Sequence, residues 1–205
     1  MPRKDSKSKK KIEIDVSNED SDNEGDDLCE IVNNHIYFYS DINNKSAFEL
    51  IKALDKVKSN LNNLSSKYDV KKLIHLHINS FGGCVFSGFS IIDKMRSLQN
   101  EGFEIYTYCE GKVASCGTMI SINGDRRFIG KNCYMLIHQL SSGFWGKFAE
   151  IEDEYENCVS LMKRIKKMYS DNTNFRKREL DEILKRDKWL ESDKCLEKGL
   201  VDEIL

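Results

Sequence analysis

From His35 onward, short apolar runs alternate with stretches whose apolar residues recur at helical spacing, and this alternation restricts the chain more than any other feature. Residues 36–39 read as a strand, and 47–61 as an amphipathic helix with Leu50, Leu54, Val57 and Leu61 on one face. Residues 73–78 form a second strand, on which His75 and His77 share a face, away from the core and from any metal. A Gly82-Gly83 turn leads into a helix carrying Val85, Phe89, Ile92 and Met95. Residues 105–109 give a third strand, 115–122 a short helix, and 128–129 and 134–137 further β structure. A long helix over 148–169 is expected to bury Ile151, Tyr155, Val159, Met162 and Ile165, and 179–185 is a last helical stretch. Repeated β-then-α units imply parallel strands joined by right-handed crossovers. The expected class is α/β, as a single domain over residues 31–205.

The 205 residues suffice for one proper hydrophobic core. A formal net charge of -2 argues against a dedicated nucleic-acid binder. No segment approaches the roughly 18 to 20 unbroken apolar residues of a membrane span, so no membrane partner is expected. No apolar segment follows the basic N-terminus, so no secretory signal is expected either. Seven cysteines, an odd number with no C-x-x-C pair, fit neither a disulfide framework nor a zinc knuckle. They read as buried free thiols in a reducing compartment, with no metal or cofactor implied. Residues 1–30 stand apart: a basic run from Arg3 through Lys11 precedes Glu13, Asp15, Glu19, Asp20, Asp22, Glu24, Asp26 and Asp27. So few apolar residues predict a disordered charged tail. Its lysine cluster at 7–11 reads as a solvated arm in preference to a nuclear-type address. The expected location is cytoplasmic, with an organelle or a virus-associated compartment left open.

In an α/β sheet, reactive groups gather where strands end and helices begin. Three segments of this chain place polar groups there. Asn79-Ser80-Phe81-Gly82-Gly83 follows a strand, and its glycine N–H groups could cradle an anion, although an ordinary turn would look the same. In Gly111-Lys112-Val113-Ala114-Ser115-Cys116-Gly117 a serine sits between strand and helix among small neighbours, as a nucleophile or as a plain N-cap. It is not the Gly-x-Ser-x-Gly elbow. Tyr134-Met135-Leu136-Ile137-His138-Gln139 ends an apolar strand in histidine, and Arg186-Asp187-Lys188-Trp189-Leu190 supplies a later carboxylate. Taken singly, each is a weak signal. The chain has no Walker-type loop, so it is not expected to hydrolyse ATP itself.

Together and in order, these segments resemble the Clp protease proteolytic subunit family, from about Ile36 to the C-terminus. Ile78-Asn79-Ser80-Phe81-Gly82-Gly83 is similar to the family's Asn-Ser-Pro-Gly-Gly turn, and Ala114-Ser115-Cys116-Gly117 to its Ala-Ser-Met-Gly nucleophile motif. Met135-Leu136-Ile137-His138-Gln139, Arg186-Asp187-Lys188-Trp189-Leu190 and the closing Gly199-Leu200-Val201-Asp202 complete the set. The resemblance implies a ClpP/crotonase-like fold with a handle helix, and a serine endopeptidase with Ser115 as nucleophile, His138 as general base and acid, and Asp187 as orienting carboxylate. It implies an oxyanion hole from the N–H groups of Gly83 and Cys116, and a substrate strand beside the main chain of Cys84, Val85, Leu140 and Ser141. Gly143 and Gly146, before the long helix, resemble the handle region that joins two seven-membered rings into a homo-oligomeric chamber. Unfolded polypeptides are the implied substrates, and an AAA+ ATPase unfoldase the implied partner. Phe81 and Leu140 stand where the family has proline. A noncatalytic structural subunit, and an acyl-CoA enzyme of the crotonase type, are the alternative readings.

Overall fold

The computed structural model describes residues 29–205, so the tail expected over 1–30 lies almost wholly outside the described residues. In chain order the elements are β1 (Glu30–Val32), β2 (His35–Tyr39), α1 (Asn44–Ser65), β3 (Leu73–Ser80), α2 (Val85–Asn100), β4 (Glu104–Ala114), α3 (Cys116–Ser121), β5 (Arg126–Ile129), β6 (Tyr134–Leu136), α4 (Phe148–Asn172), α5 (Lys177–Ile183), β7 (Leu190–Glu191), α6 (Ser192–Glu197) and β8 (Glu203–Ile204). The sheet runs in the order β1-β2-β3-β4-β5-β8, with β6 and β7 branching from β4. From β2 to β8 its neighbours are parallel, as the alternation of strands and helices requires; β1 on β2 and β7 on β6 are antiparallel. The class is therefore α/β.

Inward residues of the strands (Ile36, Phe38, Ile74, Leu76, Ile78, Ile105) meet the apolar stripe of α1 in one core cluster. Fully burying each such side chain is worth about 1.5–3 kcal/mol. Helix α1 starts at Asn44 and not at residue 47, because Asn43 and Ser46 form a reciprocal capping box, both bonds 3.0 Å long.

Strand β4 is longer than the sequence suggests and changes partners along its length. Residues Tyr106–Cys109 pair with β5, while Lys112–Ala114 pair with β6. Between the two stretches Gly111 takes φ +64, and the β3 pairing jumps from Ile78↔Cys109 to Ser80↔Val113. Beyond this jog the end of β4 has left β5 and lies beside β6, while Val113 still opposes Ser80 of β3.

The opposite face of the sheet carries a stack of rings. His35 lies on His75 with centroids 4.2 Å apart, Tyr37 on His77 at 4.4 Å, His77 on Tyr108 at 4.6 Å and Tyr108 on Phe128 at 4.8 Å. His35 Nδ1 and His77 Nε2 are 2.9 Å apart, His75 Nδ1 and Tyr108 Oη 2.7 Å, and His77 Nδ1 and Glu110 Oε1 2.7 Å, while the Tyr39 hydroxyl donates to the other Glu110 oxygen. His75 and His77 do share a face, as expected, though His77 is buried in this stack. Burial, then the neighbouring His35 and His77, push the His75 pKa down to about 4. An unfolded chain therefore binds a proton at His75 that the folded one refuses, and stability falls as pH drops from about 6.5 towards 4. Discounted for partial exposure, the loss attributable to His75 is on the order of 1–2 kcal/mol. Denaturant melts at pH 6.5 and 4.5 should show this acid loss shrinking by that amount in His75→Phe; an identical pH dependence in both proteins would refute it.

Candidate active site

Ser115 leaves the sheet at the end of β4, and His138 two residues beyond the end of β6. These are parallel neighbours, with Ala114 opposite Leu136 and Ser115 N donating to Leu136 O at 2.8 Å. The jog in β4 thus delivers hydroxyl and imidazole to the same edge. Both line one cavity of about 450 Å³, together with Gly83, Cys84, Val85, Cys116, Leu140 and Ser141. Every cleft residue named from the sequence is there. Asp187 stands behind the histidine, outside the cavity lining.

The backbone at Ser115 is strained: φ is 51° and ψ -122°, a region that residues with a side chain rarely adopt. A serine on a tight strand-to-helix turn at positive φ uses the same physical device as a nucleophile elbow, without its glycine pattern. The Ser115 carbonyl accepts from Thr118 N at 3.0 Å and Thr118 Oγ1 at 2.6 Å, and Thr118 Oγ1 lies 2.5 Å from the Tyr169 hydroxyl of α4. On the other side Gly82, at φ +98, packs so closely that a Cβ there would stand 2.7 Å from Ser115 Cβ. The turn is clamped from both sides, which offsets its strain.

Among the described residues, two N–H groups point into the cleft region without an acceptor. Ile42 N donates to Gly82 O at 2.6 Å and Ile42 O accepts from Cys84 N at 2.7 Å, so the parallel bridge Ile42↔Gly83 turns the Gly83 N–H away from Ile42. Cys116 opens α3, and the first N–H of a helix has no intrahelical acceptor. The Cys116 thiol itself is buried beneath Gly88, its pKa pushed up to about 12 by that burial. Burial was expected of all seven cysteines, but Cys29 and Cys158 are only partly buried and Cys84, at the mouth of the cleft, is exposed; hydrogen bonds from the Ser87 hydroxyl and N–H, and from the Phe86 N–H, hold its pKa below the ordinary value.

The Asp187 loop is pinned at both ends. Gln139 N donates to Leu184 O at 2.6 Å before it, and Leu190 pairs with Met135 after it. Trp189 also sets its edge towards Phe81, the residue before the Gly-Gly turn, at 6.5 Å. His138 Nδ1 and Asp187 Oδ1 come to 3.9 Å, within ion-pair range but too far for a hydrogen bond. The Asp187 side chain is 84% exposed. Ser115 Oγ makes no hydrogen bond among the described residues. Asp187 lies near the imidazole without being hydrogen-bonded to it.

Long helix α4 departs from expectation. Ile165 is buried, and Met168 and Tyr169 with it, but Ile151 (46% exposed), Tyr155 (70%) and Val159 (51%) face outward. With Phe144, Trp145 and Phe148 they make an apolar ridge on the first half of the helix and the loop before it. Periodicity identifies an apolar face; it does not say which molecule covers it. Among the described residues, no three histidine, cysteine or acidic side chains are arranged to hold a metal, all seven cysteines are free, and no helix is long and apolar enough to cross a membrane.

A parallel α/β sheet that sets a strained serine and a histidine at one edge, beside two unclaimed N–H groups, has the layout of a serine hydrolase site. The family model described as Clp protease matches residues 22–205, and the chain belongs to that family. Membership supports a peptidase function, of the serine type.

Proposed function

We propose that this chain is a serine endopeptidase that cleaves unfolded polypeptides inside a ring-shaped chamber. The reading rests on one observation above the others: Ser115, His138, Gly83 and Cys116 line the same cleft, with Asp187 3.9 Å behind the imidazole. His138 takes the Ser115 proton as the hydroxyl attacks the peptide carbonyl and gives it to the leaving amine; water then attacks the ester left on Ser115, its proton passing through His138 back to the serine oxygen as the acid leaves. Asp187, on the Nδ1 side, leaves Nε2 as the atom for the serine and stabilises the imidazolium. The N–H groups of Gly83 and Cys116 receive the tetrahedral oxyanion, one such donor being worth about 10²–10³ in rate. Cys84, Val85, Leu140 and Ser141 offer main chain on either side of an extended substrate, added as a strand.

Two features favour assembly over a lone subunit. The ridge on α4 exposes several large apolar side chains along one stripe, as surfaces that meet a partner do, and the exposed Asp187 needs a less watery setting to hold the imidazole. Stacked seven-membered rings of this chain would cover the first and shield the second. A partner ATPase would deliver chains to the chamber, since the sequence has no nucleotide loop of its own. The site needs no metal or cofactor for this chemistry, and a cytoplasmic setting fits the free thiols.

Treatment of the assembled protein with a fluorophosphonate, followed by peptide mapping, should place the adduct on Ser115. An unlabelled Ser115, under conditions that label an authentic serine peptidase, would count decisively against the reading and favour a noncatalytic subunit.

A further inference from the structure

The cleft that holds Ser115 also holds one carboxylate. Along α4 the residues facing it are Glu154, Cys158, Leu161, Ile165 and Tyr169, a single stripe at helical spacing. Tyr169 marks the reacting end, because its hydroxyl lies 3.5 Å from the Ser115 carbonyl. Glu154 marks the far end, fifteen residues earlier on the same helix. At 1.5 Å of rise per residue, that is about 22 Å along the axis.

Glu154 is half-buried, and no lysine, arginine or histidine pairs with it among the described residues. Its neighbours there are weak and neutral: Ser142 Oγ donates to Oε1 at 3.4 Å and Cys158 Sγ at 3.8 Å. Among the described residues no other acidic side chain and no lysine or arginine lines the cleft; Lys163, Lys166 and Lys177 line the adjoining hollow, which shares Leu140, Ser142 and Cys158 with it, and none of them is ion-paired with Glu154. The remaining lining near it is neutral and largely apolar, and Ser142 belongs to the segment that continues from Leu140 and Ser141, the main chain expected to flank a substrate. A half-buried carboxylate in such a groove has no ion-pair partner among the described residues, and a cationic side chain on the bound polypeptide would provide one.

We propose that Glu154 sets the sequence preference of this cleft by pairing with a lysine or arginine of the substrate, several residues from the scissile bond. An extended chain advances about 3.3 Å per residue, so the 22 Å of helix corresponds to roughly five to seven residues. The proposal rests on the peptidase reading for the direction of the groove, and on the position of Glu154 for everything else. It makes the preferred substrates unfolded segments with one basic residue at a fixed distance from the cleaved bond, not segments with a basic residue beside it.

The test is a set of quenched-fluorescence peptides in which one lysine, or its uncharged near-isostere norleucine, is moved stepwise on either side of a common cleavage sequence. The full chain should show kcat/KM about 5- to 50-fold higher for lysine than norleucine at one distal position. That ratio should fall to within about twofold in Glu154→Gln, and below one in Glu154→Lys, where a glutamate at the same position becomes the better residue. Binding of the same peptides to Ser115→Ala, read by fluorescence anisotropy, should give the same ranking without turnover. Cleavage with no lysine preference at any distal position, or a preference that persists in Glu154→Gln, overturns the assignment. If the peptidase reading itself fails, it shows as absent cleavage and an unlabelled Ser115, while anisotropy still reports for or against Glu154.

Discussion

Substituting Ser115 by alanine should lower peptide cleavage by roughly 10⁴- to 10⁶-fold, the range seen when a triad serine is removed from a protein that keeps its fold. The expectation follows from where the nucleophile's chemistry is concentrated. His138 has no other hydroxyl of the strained turn to activate, and the two N–H donors have no oxyanion to hold if none forms. The change removes a single oxygen from a residue whose φ is 51° either way, so the clamp of Gly82 and Thr118 is left as it was. Thermal unfolding should therefore move little while activity disappears. Two thiols bound the interpretation. Cys116, adjacent in sequence, is buried with its thiol pushed up to about 12 and offers no thiolate near neutral pH. Cys84 is exposed in the same cleft with its thiol drawn down. Cleavage that survived in Ser115→Ala and vanished on thiol alkylation would transfer the nucleophile to Cys84 and end the serine reading.

The second large effect should come from the ridge on α4. Phe148, Ile151, Tyr155 and Val159 recur every three or four residues and so form one stripe, flanked by Trp145, which is 97% exposed. Replacing Ile151 and Tyr155 together by aspartate places two charges in what is proposed to be a dry contact between rings. Each interface residue of this kind is typically worth about 2 kcal/mol or more when it sits at a contact centre, and in a ring assembly the loss repeats at every subunit. Native mass spectrometry should show the double-ring particle replaced by half its mass or less, with cleavage falling alongside. Because neither side chain joins the core of the subunit, its own melting should persist. A particle of unchanged mass would show that the ridge faces something other than a second ring.

The strands at residues 36–39 and 73–78 were legible because apolar residues alternate there over a run long enough to carry a period. Strands β1, β7 and β8 were not, having two or three residues each. The turn that pairs β1 with β2 does leave a trace, since Asn33 takes φ +58, a conformation asparagine tolerates better than most. The start of α1 was missed, since apolar spacing begins only at residue 47, although Asn43 and Ser46, three apart, form a capping box there. The jog in β4 was missed too, because Gly111 looks like the end of a strand and serves here as a change of partner. The cleft residues came from ordered motifs and not from periodicity, and all but Asp187 line one cavity. The 3.9 Å gap between His138 and Asp187 has no counterpart in sequence, as it depends on how a charged loop is solvated. Glu154 could have been found from its spacing to Cys158, Leu161 and Ile165, had the helix been given a second face.

Gly88 carries a constraint of a different kind. A methyl group there would come within 2.0 Å of the Cys116 sulfur, so the thiol behind the nucleophile fills the space that residue 88 leaves vacant. The two positions share one allotment of volume across the chain, and the cysteine occupies the part that a side chain at 88 would need. Residue 88 is already the smallest there is, so any side chain added to this turn of the second helix has to be met by the cysteine beside Ser115 turning aside or being cut back.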